Sequence, residues 1–567
     1  MDRSLAVFGP DQTGAGLPLT TSENRECQLR PCVRMRRMDL DPDACYRAVA
    51  TRDARFDGKF FTAVNTTGVY CRSICPARTP KRQNVTFFPT AAAAHEAGFR
   101  PCLRCRPETA PDCGAWRGTS NTVSRGLALI ELGALDQGGI EQLAERLGVG
   151  DRQLRRLFRQ HLGATPIGVA QTRRVLLAKQ LLHETRLPIT DVALASGFGS
   201  VRRFNETFQR LFARPPSALR HDSHAEHPSD SASGITVLLR CRPPYDWNAT
   251  LSYLRERAIP GVESVSSVQY ARTIEIDGVS GTVSVTHAAP NALRARICFP
   301  KLAALPVVIA RLRRLFDLGA DPGAIGEHLS MDPMLARLVA MRPGLRVPGA
   351  WDGFELAVRA ILGQQITVPA ATSLTGKLVR DHGEIIPAGS AAAGLTHLFP
   401  SPRTLAAADL RQLGIPKQRA TALASLSAAT AADPSIFSAR RSLDEAVLSL
   451  RSLRGIGEWT AQYIAMRELR EPDAFPAADV GLLRAMADMS GRRPTPGELL
   501  VRAQRWRPWR AYAAHHLWAS LRGASGRNDA GQVATVVTTR AEEKSSSRPT
   551  ARSVYPRRSL TQTKRAY

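Results

Sequence analysis

The chain has 567 residues, 77 Lys and Arg against 50 Asp and Glu, a formal net charge of +27 and a pI near 10.6. That length exceeds what one hydrophobic core supports, so several domains are expected, and that charge asks for an anionic partner, nucleic acid well ahead of a membrane surface. No apolar run approaches the roughly 20 residues that span a bilayer, no lipidation signal is visible and no secretory segment is evident, so the expectation is no membrane partner and a reducing cytoplasmic setting.

In chain order, residues 1–38 mix Gly, Thr, Arg and Pro without a period of 2 or 3.6 and read as disordered, with Met38 an alternative start. Folded sequence is expected from residue 39. Four of the ten cysteines form a set, Cys71 and Cys75 as C-x3-C and Cys102 and Cys105 as C-x2-C. Two short loops of this kind aim four thiolates at one point and complete the closed shell of one Zn²⁺ per chain. Spacing alone leaves a purely structural zinc knuckle, or two disulfides, open. The remaining thiols, among them Cys27, Cys32 and Cys113, read as isolated.

TTGVYC, SIC-PARTPKRQNV and GFRPCLRCRP closely resemble the N-terminal domain of the Ada adaptive-response protein, a methyl-phosphotriester sensor, over residues 39–110. The resemblance implies that Cys71 is both zinc ligand and nucleophile, taking a methyl group from a DNA phosphate, and that Thr67 and Arg78 meet the DNA. A metal-held thiolate is the attacking species such chemistry needs. Lys81, Arg82, Arg100, Arg104 and Arg106 add positive charge, which is as often a plain solvated face.

A polar connector at 111–122 leads into helical periodicity. IEQLAERLGVGDRQLRRLFRQHLG reads as helix, glycine turn, helix, with Leu143, Leu147, Leu154 and Phe158 packing and Arg152, Arg155, Arg156 and Arg159 around the second helix. A second copy follows in ITDVALASGFGSVRRFNETFQRLF, where Thr190 is expected to cap one helix and Ser200 the next, which carries Arg202, Arg203 and Arg210. Two such units suit successive major grooves, although any one arginine reads equally well as exposed surface charge. Together with the helix around QTRRVLLAKQLLHET they resemble the AraC-family DNA-binding domain over residues 123–222.

Residues 223–234 read as a linker, and the fragment 235–521 is therefore expected to fold and act alone. From Ile235, alternating ITVLLRCRP, RTIEIDG and GTVSVTHA predict strands and WNATLSYLRERA and LPVVIARLRRLFDL predict helices, an α+β domain to residue 350. Residues 351–521 are expected to be all-α. There Gly455-Ile456-Gly457 sits between two helices, where glycines let the amides of the next helix face a phosphate. Asp479 follows one helix and loop later.

PPYDW, MRPGLRVPGAWDGFELAVRAILGQQ and RWRPWRAYAAHHLW resemble the AlkA class of 3-methyladenine glycosylases, of the helix-hairpin-helix superfamily, over residues 235–521. The resemblance implies Asp479 as the catalytic carboxylate and Trp459, Tyr463, Trp518 and Tyr253 as walls of the base pocket. It also implies Gly455 and Gly457 as DNA contacts and Gln365 in the place of a wedge leucine. The lysine of lyase-type relatives falls at Trp459, so simple base excision is expected, and an aromatic that follows the aspartate in some members is Val480. Read without the resemblance, Asp479 could be only a helix N-cap and the aromatics only core. Residues 522–567 hold ten Lys and Arg against three acids and read as a disordered basic tail. No Pro-Cys-His-Arg motif occurs, so alkylguanine transfer is not implied.

The expectation is a multidomain chain with disordered termini: a small α+β zinc domain, an all-α tandem helix-turn-helix domain, and an α+β domain followed by an all-α helix-hairpin-helix domain. Its work would be adaptive-response repair of alkylated DNA: methyl transfer to Cys71, activation of promoters with RNA polymerase as a further partner, and excision of N-alkylated purines in a bacterial nucleoid. The alternatives are a regulator whose glycosylase-like domain only binds DNA, and a repair enzyme whose first two modules only hold it on damage.

Overall fold

The computed structural model describes residues 41–111, 121–220, 234–386, 394–437 and 442–521. The expected disordered N-terminal segment and basic tail, most of both linkers, and Cys27, Cys32 and Cys113 lie outside these residues.

The first module is a helix, Pro42–Ala50, capped by Asp41, over a four-stranded sheet of order β3-β1-β2-β4. Its strands are β1 (Phe61–Val64), β2 (Val69–Cys71), β3 (Val85–Phe88) and β4 (Arg100–Pro101). β1 and β2 form a hairpin pairing Thr62 with Cys71, and β2 runs parallel to β4, pairing Tyr70 with Pro101. The parallel pair brings the ends of two distant segments together, and the Cys102 N–H donates to the Tyr70 carbonyl at 3.0 Å. Strand pairing therefore delivers both cysteine loops to one place.

The second module is wholly helical. Ile140–Arg146 and Asp151–Leu162 form one helix-turn-helix, Ile189–Ala195 and Val201–Phe212 the other, and the long helix Pro166–Glu184 joins them. The four expected packing residues, Leu143, Leu147, Leu154 and Phe158, are all buried. Gly197 stands at the second turn with φ +86°. Thr190 is not a cap: Pro188 occupies that position and Thr190 lies inside the helix, its hydroxyl donating to Asp191 at 3.4 Å.

The third module is an antiparallel sheet of order β5-β9-β8-β7-β6, formed by β5 (Ile235–Arg240), β6 (Glu263–Val265), β7 (Gln269–Ile276), β8 (Val279–Ala289) and β9 (Ala292–Cys298). The predicted helices appear as Trp247–Arg255 and Leu305–Leu315. Helices dominate after Trp351, including Gly353–Leu362, Val368–His382, Lys417–Ala432, Leu443–Arg451, Glu458–Arg467 and Val480–Ala485.

The cores do not stop where composition suggested. One apolar cluster joins Val175 and Leu182 of the long helix and Phe204 and Phe208 of the second helix-turn-helix to Val237, Tyr270 and Leu293 of the sheet. Another joins Ile325 and Leu335 to the helices beyond Trp351. Polar clamps reinforce these seams. Lys179 of the long helix is fully buried and donates to the Cys102 carbonyl and to Glu108, both at 2.8 Å. Glu184 pairs with Arg106 at 3.4 Å and accepts the Leu238 N–H at 2.9 Å. Arg125 forms a buried pair with Glu471, in the loop leading to Asp479, at 2.5 Å. No helix among the described residues is long and apolar enough to cross a membrane.

Candidate methyl-acceptor and base-excision sites

At the end of β2 the sulfurs of Cys71, Cys75, Cys102 and Cys105 lie within 4.8 Å of one another, and all four are free thiols. Four converging soft donors fit a single Zn²⁺. The surroundings differ from ligand to ligand. Cys102 Sγ accepts the N–H of Arg104 at 3.3 Å and of Cys105 at 3.5 Å, and Cys105 Sγ accepts that of Arg72 at 3.4 Å. None of these donors is directed at Cys71 or Cys75, which are half-exposed whereas Cys102 and Cys105 are buried. An N–H bond to a thiolate draws on its lone pairs, so Cys71 and Cys75 are left more available than Cys102 and Cys105.

The loop carrying Cys105 is braced by buried Arg72, which pairs with Asp57 and donates to the Cys105 carbonyl at 3.2 Å and to Thr109 Oγ1 at 2.6 Å. Thr67 and Arg78 are exposed, as are Lys81 and Arg104. Two of the nearby cations are engaged within the fold, Arg82 with Asp43 at 3.2 Å and Arg106 with Glu108 at 3.1 Å.

Both second helices of the helix-turn-helix units present a polar face. Arg152 and Arg156 are exposed on one, and Arg202, Arg203 and Arg210 on the other. Arg155 is half-buried beside Asp151 at 3.6 Å, and Arg202 is held by Glu206 at 2.8 Å. Ser200 caps its helix, accepting the Arg203 N–H at 3.2 Å.

In the helical domain, the hairpin Gly455-Ile456-Gly457 precedes helix Glu458–Arg467. Its two glycines have different reasons. Gly455 has φ +85°, and a Cβ there would lie 2.2 Å from Ala422 Cβ, so the fold itself demands it. Gly457 has extended backbone, and a Cβ there would meet nothing. Open space beside a helix N-terminus is what an approaching phosphate needs.

Asp479 is the N-cap of helix Val480–Ala485, its Oδ1 accepting the Leu482 N–H at 2.9 Å. It is also gripped by two indoles. Trp518 Nε1 donates to Oδ1 at 2.8 Å and Trp459 Nε1 to Oδ2 at 2.9 Å. Trp459 stacks on Tyr463 with centroids 5.3 Å apart and planes within 6°. The Tyr463 hydroxyl lies 3.3 Å from that of Tyr253 and accepts from Arg467 at 2.7 Å. Burial raises the Tyr463 phenol, but the Arg467 and Arg257 guanidiniums outweigh it and bring it down to about 8. Burial pushes Tyr253 the other way, upward. The four expected aromatics are thus linked: Trp459 and Trp518 hold the carboxylate, Tyr463 stacks on Trp459, and buried Tyr253 stands behind Tyr463.

Gln365 is exposed, on a turn, with φ +59°. Val480 is exposed beside Asp479. Three contributors escaped sequence reasoning. Arg467 fixes Tyr463 and donates to the Pro348 and Gly349 carbonyls, both at 2.9 Å. Gly481 leaves room for Trp518, since a Cβ there would lie 3.1 Å from its ring and 2.9 Å from Asp479 Oδ1. Gln364 links two turns. Only Gly481 carried a signal, a glycine in the first turn of a helix.

Four family models match successive parts of the chain: the metal binding domain of Ada over residues 44–108, a helix-turn-helix domain over 143–222, the AlkA N-terminal domain over 236–352, and the HhH-GPD superfamily of base excision DNA repair proteins over 358–511. A probable bifunctional transcriptional activator/DNA repair enzyme AlkA of Mycobacterium tuberculosis is 43% identical over 486 residues, 85% of this chain and 97% of that protein. DNA-3-methyladenine glycosylase 2 of Escherichia coli is 36% identical over 287 residues, 49% of this chain and 95% of its own. The bifunctional transcriptional activator/DNA repair enzyme Ada of Escherichia coli is 35% identical over 182 residues, 32% of this chain and 50% of that one.

Proposed function

Because the chain belongs to the family of bifunctional transcriptional activator/DNA repair enzymes that combine Ada-type and AlkA-type domains, we propose that it excises N-alkylated purines of the 3-methyladenine type at Asp479, accepts a methyl group from DNA methyl-phosphotriesters at Cys71, and activates repair promoters. The observation that carries the excision reading is the Asp479 carboxylate fixed by two indole N–H groups in an aromatic enclosure.

A purine methylated on a ring nitrogen is cationic and already a good leaving group. What remains is to take the base out of the stack, hold it against π-faces and stabilise the positive sugar that forms. Trp459 and Trp518 turn their N–H edges to the carboxylate, so Asp479 stays in one orientation as charge develops on the sugar. Lacking an amine at position 459, the site supports base hydrolysis and no Schiff-base cleavage.

At the cysteine cluster a bound Zn²⁺ holds the thiols as thiolates at neutral pH. Cys71, unencumbered by N–H donors and reachable from solvent, attacks the phosphotriester methyl carbon; the C–O bond breaks, the phosphate leaves as a diester anion and the sulfur becomes a thioether. The step is stoichiometric, because a thioether offers no route back to thiolate. Thr67 and Arg78 contact the DNA, Arg152, Arg155, Arg202 and Arg203 read promoter grooves, and RNA polymerase in a bacterial cytoplasm is the downstream partner in this reading.

The deciding experiment incubates the purified full chain with methylated duplex DNA and measures both released 3-methyladenine and methyl groups on protein by mass spectrometry. Free base with turnover, together with one methyl on Cys71, is expected. Absence of released base would leave the helical domain a DNA-binding platform only.

A further inference from the structure

The turn between helices Gly353–Leu362 and Val368–His382 holds exposed Gln365 at φ +59°, a left-handed conformation that a non-glycine residue keeps only where its surroundings impose it. The anchor is the preceding residue. Half-buried Gln364 directs both hydrogens of its side-chain amide to the neighbouring hairpin, Nε2 donating to the Gly455 carbonyl at 3.0 Å and to Thr460 Oγ1 at 3.1 Å. Arg419, on helix Lys417–Ala432, donates to the Gln364 main-chain carbonyl at 2.6 Å. Residue 364 is therefore tied to the turn containing Gly455, to the first turn of the helix carrying Trp459, and to a third helix.

We infer that Gln364 is a positioning residue for base flipping, fixing the spacing between the turn that presents Gln365 and the hairpin that faces the DNA backbone. The inference rests on the glycosylase reading above. A side chain pushed into a base stack displaces a base only if its own turn cannot recoil. The reaction to that push must return to the backbone through the phosphate held at the hairpin. In this chain the turn meets the hairpin through one primary amide that has two acceptors to satisfy. Glutamine meets that requirement, and an ionised carboxylate of the same shape, which donates nothing, does not. A polar wedge such as Gln365 makes the demand sharper, because it gains little from burial in the stack and depends on being held.

The test compares full-length wild type with Gln364→Glu, which keeps shape but removes the donors, and Gln364→Ala, both checked by far-UV circular dichroism. Flipping is read from the fluorescence of 2-aminopurine placed beside an alkylated purine in duplex DNA, a signal that requires no excision. Loss of two hydrogen bonds is expected to lower the flipping equilibrium, and the single-turnover release from duplex, about tenfold. Duplex affinity by anisotropy should stay within about twofold, and so should release of the same base from an unpaired bubble, where nothing needs opening. Equal slowing on duplex and bubble would mean general damage to the site and overturn the inference, as would an unchanged or unresponsive fluorescence signal. If wild type flips the base but never releases it, and Gln364→Glu abolishes the flipping signal, the positioning role stands and the excision reading falls.

Discussion

Asp479→Asn separates the helix cap seen at this carboxylate from the catalytic role proposed for it. As N-cap, Asp479 accepts the Leu482 N–H, and asparagine caps a helix about as well, so that contact survives. With the amide oxygen in place of Oδ1, the bond from Trp518 survives too. The amide NH₂ then stands in place of Oδ2, facing the Trp459 N–H that donated at 2.9 Å, donor against donor. Losing a hydrogen bond to a charged group costs about 1.5–3 kcal/mol, so a modest drop in folding stability is expected. The rate effect is larger. A carboxylate about 4 Å from a positive sugar stabilises it by roughly 4 kcal/mol at an effective dielectric near 20, which is about a thousandfold in rate. Single-turnover release of 3-methyladenine from duplex, beside duplex affinity by anisotropy, measures both parts. Affinity should survive, since in the proposed reading the hairpin and not the carboxylate faces the phosphate. Release within about threefold of wild type would refute the assignment of Asp479.

Lys179→Met leaves Glu108 buried with only Arg106 and removes the donor to the Cys102 carbonyl; a loss near the lower end of the 3–5 kcal/mol typical of a broken buried pair is expected in urea denaturation, and a loss below about 1 kcal/mol would contradict the clamp. The fragment 235–521 should melt below the fragment 123–521 and be less soluble, because the apolar face that packs on Val175, Phe204 and Phe208 becomes exposed; equal midpoints by circular dichroism would show that the shared core contributes nothing. One tyrosine should ionise near pH 8 by absorbance at 295 nm and vanish in Tyr463→Phe. Its folded pKa lies below the ordinary value of 10.0, so the stabilisation is full above that value and is lost as pH falls through about 8.

What sequence reveals here is whatever a local rule encodes. Cys71, Cys75, Cys102 and Cys105 were readable because metal ligation imposes spacing, and the helix-turn-helix pairs because packing imposes period. Thr190 was misplaced by the same kind of local rule, since a threonine before an apolar run satisfies the cap pattern while the backbone turned two residues earlier, at Pro188. Asp479 shows a different limit. Cap and catalytic carboxylate looked like competing readings, yet they are compatible, because a carboxylate has acceptor sites enough for Leu482 and two indoles. The seams between modules were illegible. Lys179 meets Glu108 and Arg125 meets Glu471 across separations no period or spacing rule spans, and a polar stretch at 223–234 says nothing about which apolar faces meet on either side of it.

Those seams bear on how methylation at Cys71 would reach the promoter-reading helices. Four thiolates on one divalent cation carry a formal −2, and methylating Cys71 leaves −1, so repulsion of the DNA backbone falls by one charge. At about 10 Å and an effective dielectric near 20 that is worth roughly 1.7 kcal/mol, an affinity gain of ten- to twentyfold at low salt. Swinging the zinc module away from the long helix would break the Lys179–Glu108 and Arg106–Glu184 pairs, and swinging the helical module away from the glycosylase would break Arg125–Glu471. Each hydrogen bond to a charged group given up to water costs about 1.5–3 kcal/mol, and opening the zinc-module seam gives up several, including both made by Lys179, so the cost exceeds what the charge change supplies. The expected response is therefore electrostatic and local: tighter promoter binding with the modules kept in place. Promoter affinity measured before and after reaction with methylated DNA should rise at low salt and rise much less at high salt, where screening shortens the reach of the charge. Small-angle scattering of the free protein should be unchanged by the methyl group. A shift in radius of gyration on methylation, or an unchanged low-salt affinity with one methyl confirmed on Cys71, would sink this account.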